Sequence, residues 1–337
     1  MSIDVLASIG FDEFRREEIS GLKLEGECGR VVRVDRSAVS VMSGAGVLRI
    51  DTTPDDGLVV GDWVVVNDQV ATRLERRTAL VRRVGPKKDE RQTMAANVDV
   101  VVIVRGLDSD MRLNRLAALA VVAFDSGAAA LVVLTKADLC KDPEEVAHTV
   151  SVGLGGIETI TVSAKTGLGL DELRRRIAGR TVVLFGESGA GKSTLTNSLF
   201  GDELLATAEV RRDGQGRHTT THRELVVIPS GGVIIDTPGI RDAAAFGDGH
   251  GLALAFADLL ALAENCRFRD CNHDLTPGCA IEEAVHEGRI SRARLEAYLH
   301  EAREQAWLEK RLDERTETTE LKKTHRRREF KDRGPAE

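Results

Sequence analysis

From Gly26 to about Arg77 the chain alternates between apolar and polar positions with a period of two. The runs GRVVRVD (29–35), SAVSVMS (37–43), GVLRIDT (46–52) and VGDWVVVN (60–67) are separated by Gly, Asp and Pro-Asp-Asp turns. With VATRLERR (70–77) as a closing segment they predict several short antiparallel strands curled into a small barrel. The five-stranded OB-fold is the natural candidate, and such barrels often bind oligonucleotides. A structural barrel with no ligand fits the pattern equally well. Residues 1 to about 20 are mixed in character and are read as peripheral. Lys87–Ala96 (KKDERQTMAA) is polar and is read as a linker.

The period then changes. VDVVVIV (98–104) is almost continuously apolar, as a parallel strand buried on both faces should be. Helical and strand patterns alternate after it. LNRLAALAVVAFDSG is a helix, ALVVLTKAD a strand, PEEVAHTVSVGL a helix and IETITVSAK a strand. LDELRRRIAG is a short helix capped by Gly179, TVVLF a strand and KSTLTNSLF a helix. A loop rich in Arg, Gly and Thr leads to the strands RELVVIP and GVIIDTPG. This alternation predicts an α/β domain with a doubly wound parallel sheet. Helical segments follow: AFADLLALAENC, IEEAVHEG and SRARLEAYLHEAREQAWLEKRL. The chain thus divides into residues 1–90 (N-terminal extension and barrel), 91–247 (α/β domain) and 248–337 (helical domain with a basic tail).

Composition refines this picture. Only 4% of the 337 residues are aromatic while 42% are hydrophobic, so the cores are aliphatic. The net charge of −7 excludes a uniformly basic nucleic-acid binder. RNA contact would have to come from local patches such as Arg73, Arg76, Arg77, Arg82 and Arg83, or from the tail LKKTHRRREFKDRG. Both can equally be solvated surface. No apolar run reaches transmembrane length, so a soluble cytoplasmic protein without a membrane partner is expected.

The densest chemistry lies in GESGAGKST, Gly186–Thr194, which matches G-x-x-x-x-G-K-[ST]. A strand precedes it and a helix follows it, as a phosphate-binding loop requires. Backbone N–H groups of Gly186, Glu187, Ser188, Gly189, Ala190 and Gly191 would wrap the phosphates, aided by the helix N-terminus. Lys192 would reach the β- and γ-phosphates, Ser193 would bind Mg²⁺, and Thr194 completes the motif.

Three further stretches point to guanine. Thr135–Asp138 (TKAD) resembles the N-K-x-D element of GTPases, in which the Asp accepts two hydrogen bonds from guanine N1 and N2. Adenine lacks that donor pair and would leave the carboxylate of Asp138 unpaired. Lys136 would pack along the nucleotide, and Thr135 stands where Asn is usual. Ser163, Ala164 and Lys165 (SAK) resemble the element whose backbone reads guanine O6. Asp236–Gly239 (DTPG) resembles D-x-x-G, with Asp236 in the Mg²⁺ shell and the Gly239 N–H on the γ-phosphate. TKAD and SAK precede the phosphate loop here, whereas in most GTPases they follow it. That order resembles circularly permuted GTPases, and it runs the γ-phosphate sensor directly into the C-terminal domain.

Three of the five cysteines crowd near one histidine. Cys266, Cys271, His273 and Cys279 form C-x₄-C-x-H-x₅-C, a closed donor set suited to one structural Zn²⁺. Incidental surface cysteines are the competing reading. Cys28 and Cys140 lie far away in sequence and are read as small packing residues.

Barrel, permuted TKAD–SAK–GESGAGKST–DTPG order and Cys/His cluster together resemble the RsgA (YjeQ/YloQ) family of small-subunit ribosome biogenesis GTPases. GRHTTTHREL (216–225) and ANVDVVVIV strengthen the resemblance, which spans roughly residues 25–300. It implies GTP hydrolysis stimulated by the 30S subunit, contact with 16S rRNA, a role in late subunit maturation, and ordering of the GRHTTT loop by the subunit. A monomer that exchanges GTP and GDP is expected. The alternatives are a GTP-dependent switch that binds a protein partner and uses slow hydrolysis as a timer, and an ATP-using P-loop kinase or hydrolase. TKAD argues against the last. Ile240 occupies the position after D-x-x-G where Ras-like enzymes place a water-orienting Gln. His218 is therefore the candidate for orienting water, with His222 weaker, and Thr220 the candidate switch ligand of Mg²⁺. A solvent-facing loop histidine is the alternative for His218.

Overall fold

The computed structural model describes residues 2–22, 24–53, 56–83, 91–201, 224–236, 249–308 and 310. Five parallel strands form its centre: β8 (Val100–Gly106), β9 (Ala129–Thr135), β10 (Thr159–Thr161), β11 (Thr181–Phe185) and β13 (Val233–Asp236), in the order β10-β9-β8-β11-β13. All of β8 is buried, as its unbroken apolar run demands. Val101 and Ile103 face helices α3 (Leu113–Asp125) and α4 (Pro143–Gly153). Val100, Val102 and Val104 face α5 (Leu170–Ile177) and α6 (Lys192–Phe200). Helices thus cover both faces.

The sheet does not end where the sequence pattern suggests. β12 (Glu224–Val227) runs antiparallel to β13, because Ser230-Gly231-Gly232 turns the chain tightly between them. The expectation of a purely parallel sheet fails at this edge. β12 then meets β1 (Glu27–Val34) through the single pair Arg33↔Glu224. From β1 the sheet continues to β2 (Ala38–Ser43) and β3 (Gly46–Asp51) on one side, and to β4 (Trp63–Asn67) and β5 (Val70–Arg73) on the other. Val31, Val39, Val41, Ile50, Val64 and Val66 make a small separate core within these five strands.

Two sequence readings are corrected here. Residues 91–96 are not a linker: β7 (Arg91–Ala96) pairs with β6 (Ala79–Arg83), and Met94, Ala95 and Ala96 are buried. The hairpin straddles the boundary expected at residue 90. Its polar composition concealed two alanines whose small size lets the strand approach Gly61. A Cβ on Gly61 would sit 2.1 Å from the Ala96 carbonyl oxygen.

The first 20 residues are not peripheral either. They form helices α1 (Ser2–Ser8) and α2 (Glu13–Leu22), with Ile9 and Arg15 fully buried. The Arg15 guanidinium donates to Asn97 Oδ1 (2.5 Å) and to the Glu75 carbonyl (2.7 Å). Buried Arg30 donates to the carbonyls of Ile9, Gly61 and Asn97 and lies 5.2 Å over the Trp63 ring. Asn97, in the left-handed region at φ 54°, also donates to the Gly61 carbonyl at 2.9 Å. A charge this deep is tolerated because carbonyl dipoles and an aromatic face surround it.

The C-terminal helices α7 (His250–Ala255), α8 (Ala257–Ala263), α9 (Ala280–His286) and α10 (292–308) pack on α3 and α4. The Gly251 N–H donates to Asp125 Oδ1 at 2.6 Å, and a Cβ there would lie 2.4 Å from the Val121 carbonyl oxygen. Buried Arg294 donates to both Asp258 oxygens and to the carbonyls of Ala255 and Gly153, joining α10 to α8 and to the end of α4. Replacing Gly251 with Ala should force α7 off α3 at a cost of about 1–3 kcal/mol. A thermal scan should show a lower midpoint with unchanged GDP affinity; an unchanged midpoint would contradict the close packing.

Candidate functional site

All five parallel strands point their C-terminal ends at one edge, where ligands bind in open sheets. The segment Gly186–Gly191 joins β11 to α6 at that edge. Gly186 has φ 145°, and a Cβ on it would lie 2.2 Å from the Val104 carbonyl oxygen of β8. Only glycine can take that position. Gly189 and Gly191 are also left-handed. The Lys192 ammonium folds back and donates to the carbonyls of Gly186 (2.6 Å) and Glu187 (2.7 Å). It therefore lies across the mouth of the loop, within reach of any phosphate that enters. Ser188 is exposed, and Ser193 and Thr194 are exposed on the first turn of α6.

TKAD and SAK meet the same edge. Thr135 is buried, and its hydroxyl donates to the Ala190 carbonyl at 2.6 Å, tying the end of β9 to the phosphate loop. The Thr that stands where Asn is usual thus makes a polar link to this loop. Lys136, left-handed at φ 59°, lies across the loop and donates to the Gly189 carbonyl at 2.9 Å and to Asp108 at 2.6 Å. That hydrogen bond from Lys136 holds the Asp108 carboxyl below its ordinary range. The Asp138 Oδ1 accepts from the buried Ser163 hydroxyl at 2.6 Å, and its Oδ2 is 3.9 Å from Lys165 Nζ. One carboxylate is thus gripped by the SAK segment, with Ala164 between its two contacts.

Glu187 behaves differently from its neighbours in the loop. Its side chain pairs with Arg115 of α3 and Arg105 at the end of β8, and these two cations hold its carboxyl below the usual range. Neither arginine nor Asp108 is named by a motif; the only sequence signal was the place of Arg105 and Asp108 just after a predicted strand and of Arg115 at the start of the helix that follows. Arg105 is buried, and its Nε has no hydrogen-bond partner among the described residues. Asp236 closes β13 at the same edge, next to the phosphate loop strand. Gly239, His218, Thr220, His222 and Ile240 lie outside the described residues.

The cysteine cluster sits between α8 and α9. Ligand atoms of Cys266, Cys271, His273 and Cys279 all lie within 4.8 Å of one another. Cys266 Sγ is 3.6 Å from His273 Nδ1 and 3.9 Å from Cys279 Sγ, and Cys279 Sγ is 3.5 Å from the same nitrogen. Zinc bond lengths in a tetrahedron give edges of about 3.8 Å between sulfurs and about 3.6 Å from sulfur to nitrogen. The four residues therefore fit a zinc ion. Burial raises the Cys279 thiol to about 11, so a bound cation is what would hold it as thiolate.

A family model for the RsgA GTPase matches residues 73–246, just over half of the chain. The chain is 43% identical to the small ribosomal subunit biogenesis GTPase RsgA of Streptomyces coelicolor, across 96% of this chain and 92% of that one. The chain belongs to the RsgA GTPase family. GTP hydrolysis is the chemistry of that family, and the edge of the sheet brings together GESGAGKST, TKAD and SAK. The Streptomyces avermitilis protein of the same name is 40% identical over 92% of this chain and 88% of its own length. The crystal structure of YjeQ from Thermotoga maritima superposes with a TM-score of 0.59 at 25% identity, covering 81% of this chain and 96% of that one. YloQ, described as a circularly permuted GTPase, shares the fold at 22% identity and a TM-score of 0.60, covering 82% of this chain and 93% of that one. An ABC transporter model also matches residues 176–328. That stretch holds the phosphate loop common to P-loop proteins and leaves out TKAD and SAK.

Asp138→Asn should weaken GTP binding and favour xanthosine triphosphate, whose extra carbonyl can accept from the new amide. Competition between the two nucleotides measures this, and unchanged GTP preference would remove Asp138 from base reading. Chelation, or Cys271→Ala, should strip hydrogen-exchange protection from residues 255–300 while GDP still binds. Absence of zinc from the purified protein would overturn the metal assignment.

Proposed function

We propose that this chain is a GTP-driven maturation factor of the small ribosomal subunit, whose hydrolysis the 30S subunit stimulates. The observation that carries this reading is the convergence of TKAD, SAK and the phosphate loop on one edge in permuted order, in a chain so close to proteins named small ribosomal subunit biogenesis GTPase. GTP enters with Mg²⁺, held by Ser193, Asp236 and Thr220. Asp138 reads the base, Lys192 clamps the phosphates and Gly239 senses the γ-phosphate.

The division into residues 1–90, 91–247 and 248–337, with the β6–β7 hairpin crossing its first boundary, gives each part a task. Strands β1–β5 are an OB-like barrel that contacts 16S rRNA. Their pairings, β3-β2-β1-β4-β5, follow the Greek-key path of that fold. The C-terminal helical domain holds one structural zinc ion and adds a second contact with the subunit. The protein works as a cytoplasmic monomer. Among the described residues no helix is long and apolar enough to cross a membrane, which fits that setting.

His218 orients the attacking water once the subunit orders its loop, since the position after D-x-x-G offers only Ile240. GTP turnover should therefore be slow for the free protein and rise with purified small subunits at fixed salt. His218→Ala should lose most of that stimulation while keeping GTP and subunit binding, whereas Lys192→Ala should lose turnover and nucleotide affinity together. Equal turnover with and without subunits, joined with no nucleotide-dependent co-sedimentation, would favour a timer switch acting on a protein partner.

A further inference from the structure

A cavity of about 480 Å³ opens on the opposite edge of the sheet from the phosphate loop. It lies where the N-terminal helices and the barrel meet the starts of β8 and β11, marked by Asp99 and Thr181. Four arginines line it, Arg15, Arg30, Arg77 and Arg180, together with Asp12 and Asp99.

The pairing of these charges is uneven. Asp12 is committed to Arg77 through two bonds of 2.7 Å, and Arg15 to Glu18. Asp99 accepts the Thr181 N–H at 2.7 Å. Nearby Asp62 is taken by Arg76, again through two bonds of 2.7 Å. Among the described residues, Arg30 and Arg180 are left without a carboxylate in contact. Arg30 spends three of its five N–H groups on backbone carbonyls, so two have no acceptor among the described residues. Burial pushes this guanidinium down to about 10, even with Asp99 and Asp62 drawing it the other way. Arg180 stands exposed at the rim, and its guanidinium makes no hydrogen bond or ion pair among the described residues.

We propose that this cavity binds a small organic phosphate, with the buried Arg30 and the rim Arg180 as its anion contacts. A phosphate takes two or three charge-assisted bonds, which is what the spare donors offer. The space is in the range of pockets for small organic ligands and exceeds what a bare ion would fill. Trp63 and Phe11 line the same cavity and provide an apolar wall beside the donors. Because the walls come from the N-terminal helices, the barrel and the base of the sheet, an occupant holds the three together.

The chain has two tryptophans, so Trp307→Phe leaves Trp63 as the single indole reporter beside Arg30. With the nucleotide site saturated by Mg²⁺-GDP, inorganic pyrophosphate and ribose 5-phosphate should each shift its fluorescence saturably, half-maximal at millimolar concentration or below. Each should also raise the thermal midpoint. Arg180→Glu should weaken both effects at least tenfold, and Arg180→Lys should stay within about threefold of the parent. A response to pyrophosphate alone would reduce the cavity to an ion site and overturn the organic part of the proposal. A response that does not saturate, that sodium chloride reproduces at matched ionic strength, or that Arg180→Glu leaves intact would overturn all of it. None of these outcomes bears on the ribosomal role.

Discussion

The parallel pairing of β8 with β11 is the contact on which the nucleotide site depends. It sets the end of β8 beside the start of the phosphate loop, close enough that residue 186 must lack a side chain. Once these strands run parallel in register, β9 and β13 fall in on either side and β10 follows at the edge. Every connecting loop that carries a nucleotide motif then leaves the sheet at the same end. Circular reordering of the motifs costs nothing geometrically, because the edge is defined by strand direction and not by the order of synthesis. Thr135 and Lys136 complete the arrangement, since both donate to carbonyls of the phosphate loop.

The barrel is attached by apolar packing and by a set of buried polar contacts. Arg15, Arg30 and Asn97 add, to the apolar packing of Val32, Val60, Trp63 and Val65 against the sheet, hydrogen bonds that each need a specific carbonyl or amide in place. Such joints fix orientation better than apolar contacts do, because a buried donor that misses its acceptor pays the full desolvation cost. The strand pair Arg33↔Glu224 adds a second tie. It falls between the stretch expected to hold the first switch and the strand that ends in Asp236.

Much of this was legible in the residues. Continuous apolar runs announced the parallel strands, and GESGAGKST, TKAD and SAK each fell at a strand end as expected. C-x₄-C-x-H-x₅-C brought its four ligand atoms together. What escaped was carried by residues whose type gives no period. Arg15 falls in a stretch read as peripheral and Arg30 in an alternating run that singled out no role for it, yet both are among the most deeply buried side chains, because their partners are carbonyls and an amide distant in sequence. β7 escaped because polar residues at its start hide a strand whose buried part is two alanines and a methionine. The pairing of β12 with β1 joins residues nearly 200 positions apart, and no local pattern encodes that.

The strand order also has a temporal side. During synthesis β8, β9 and the intervening helix emerge first, and β11 is still unmade. One edge of β8, an unbroken run of seven buried residues, then waits open for the roughly 75 residues that separate it from β11. At typical elongation rates that is on the order of 4–15 s, long compared with hairpin or helix formation. An exposed apolar edge of this kind is a template for wrong pairing. The nascent chain is thus most vulnerable to aggregation just before its phosphate loop strand arrives, and a ribosome paused in the 106–181 interval would prolong that hazard.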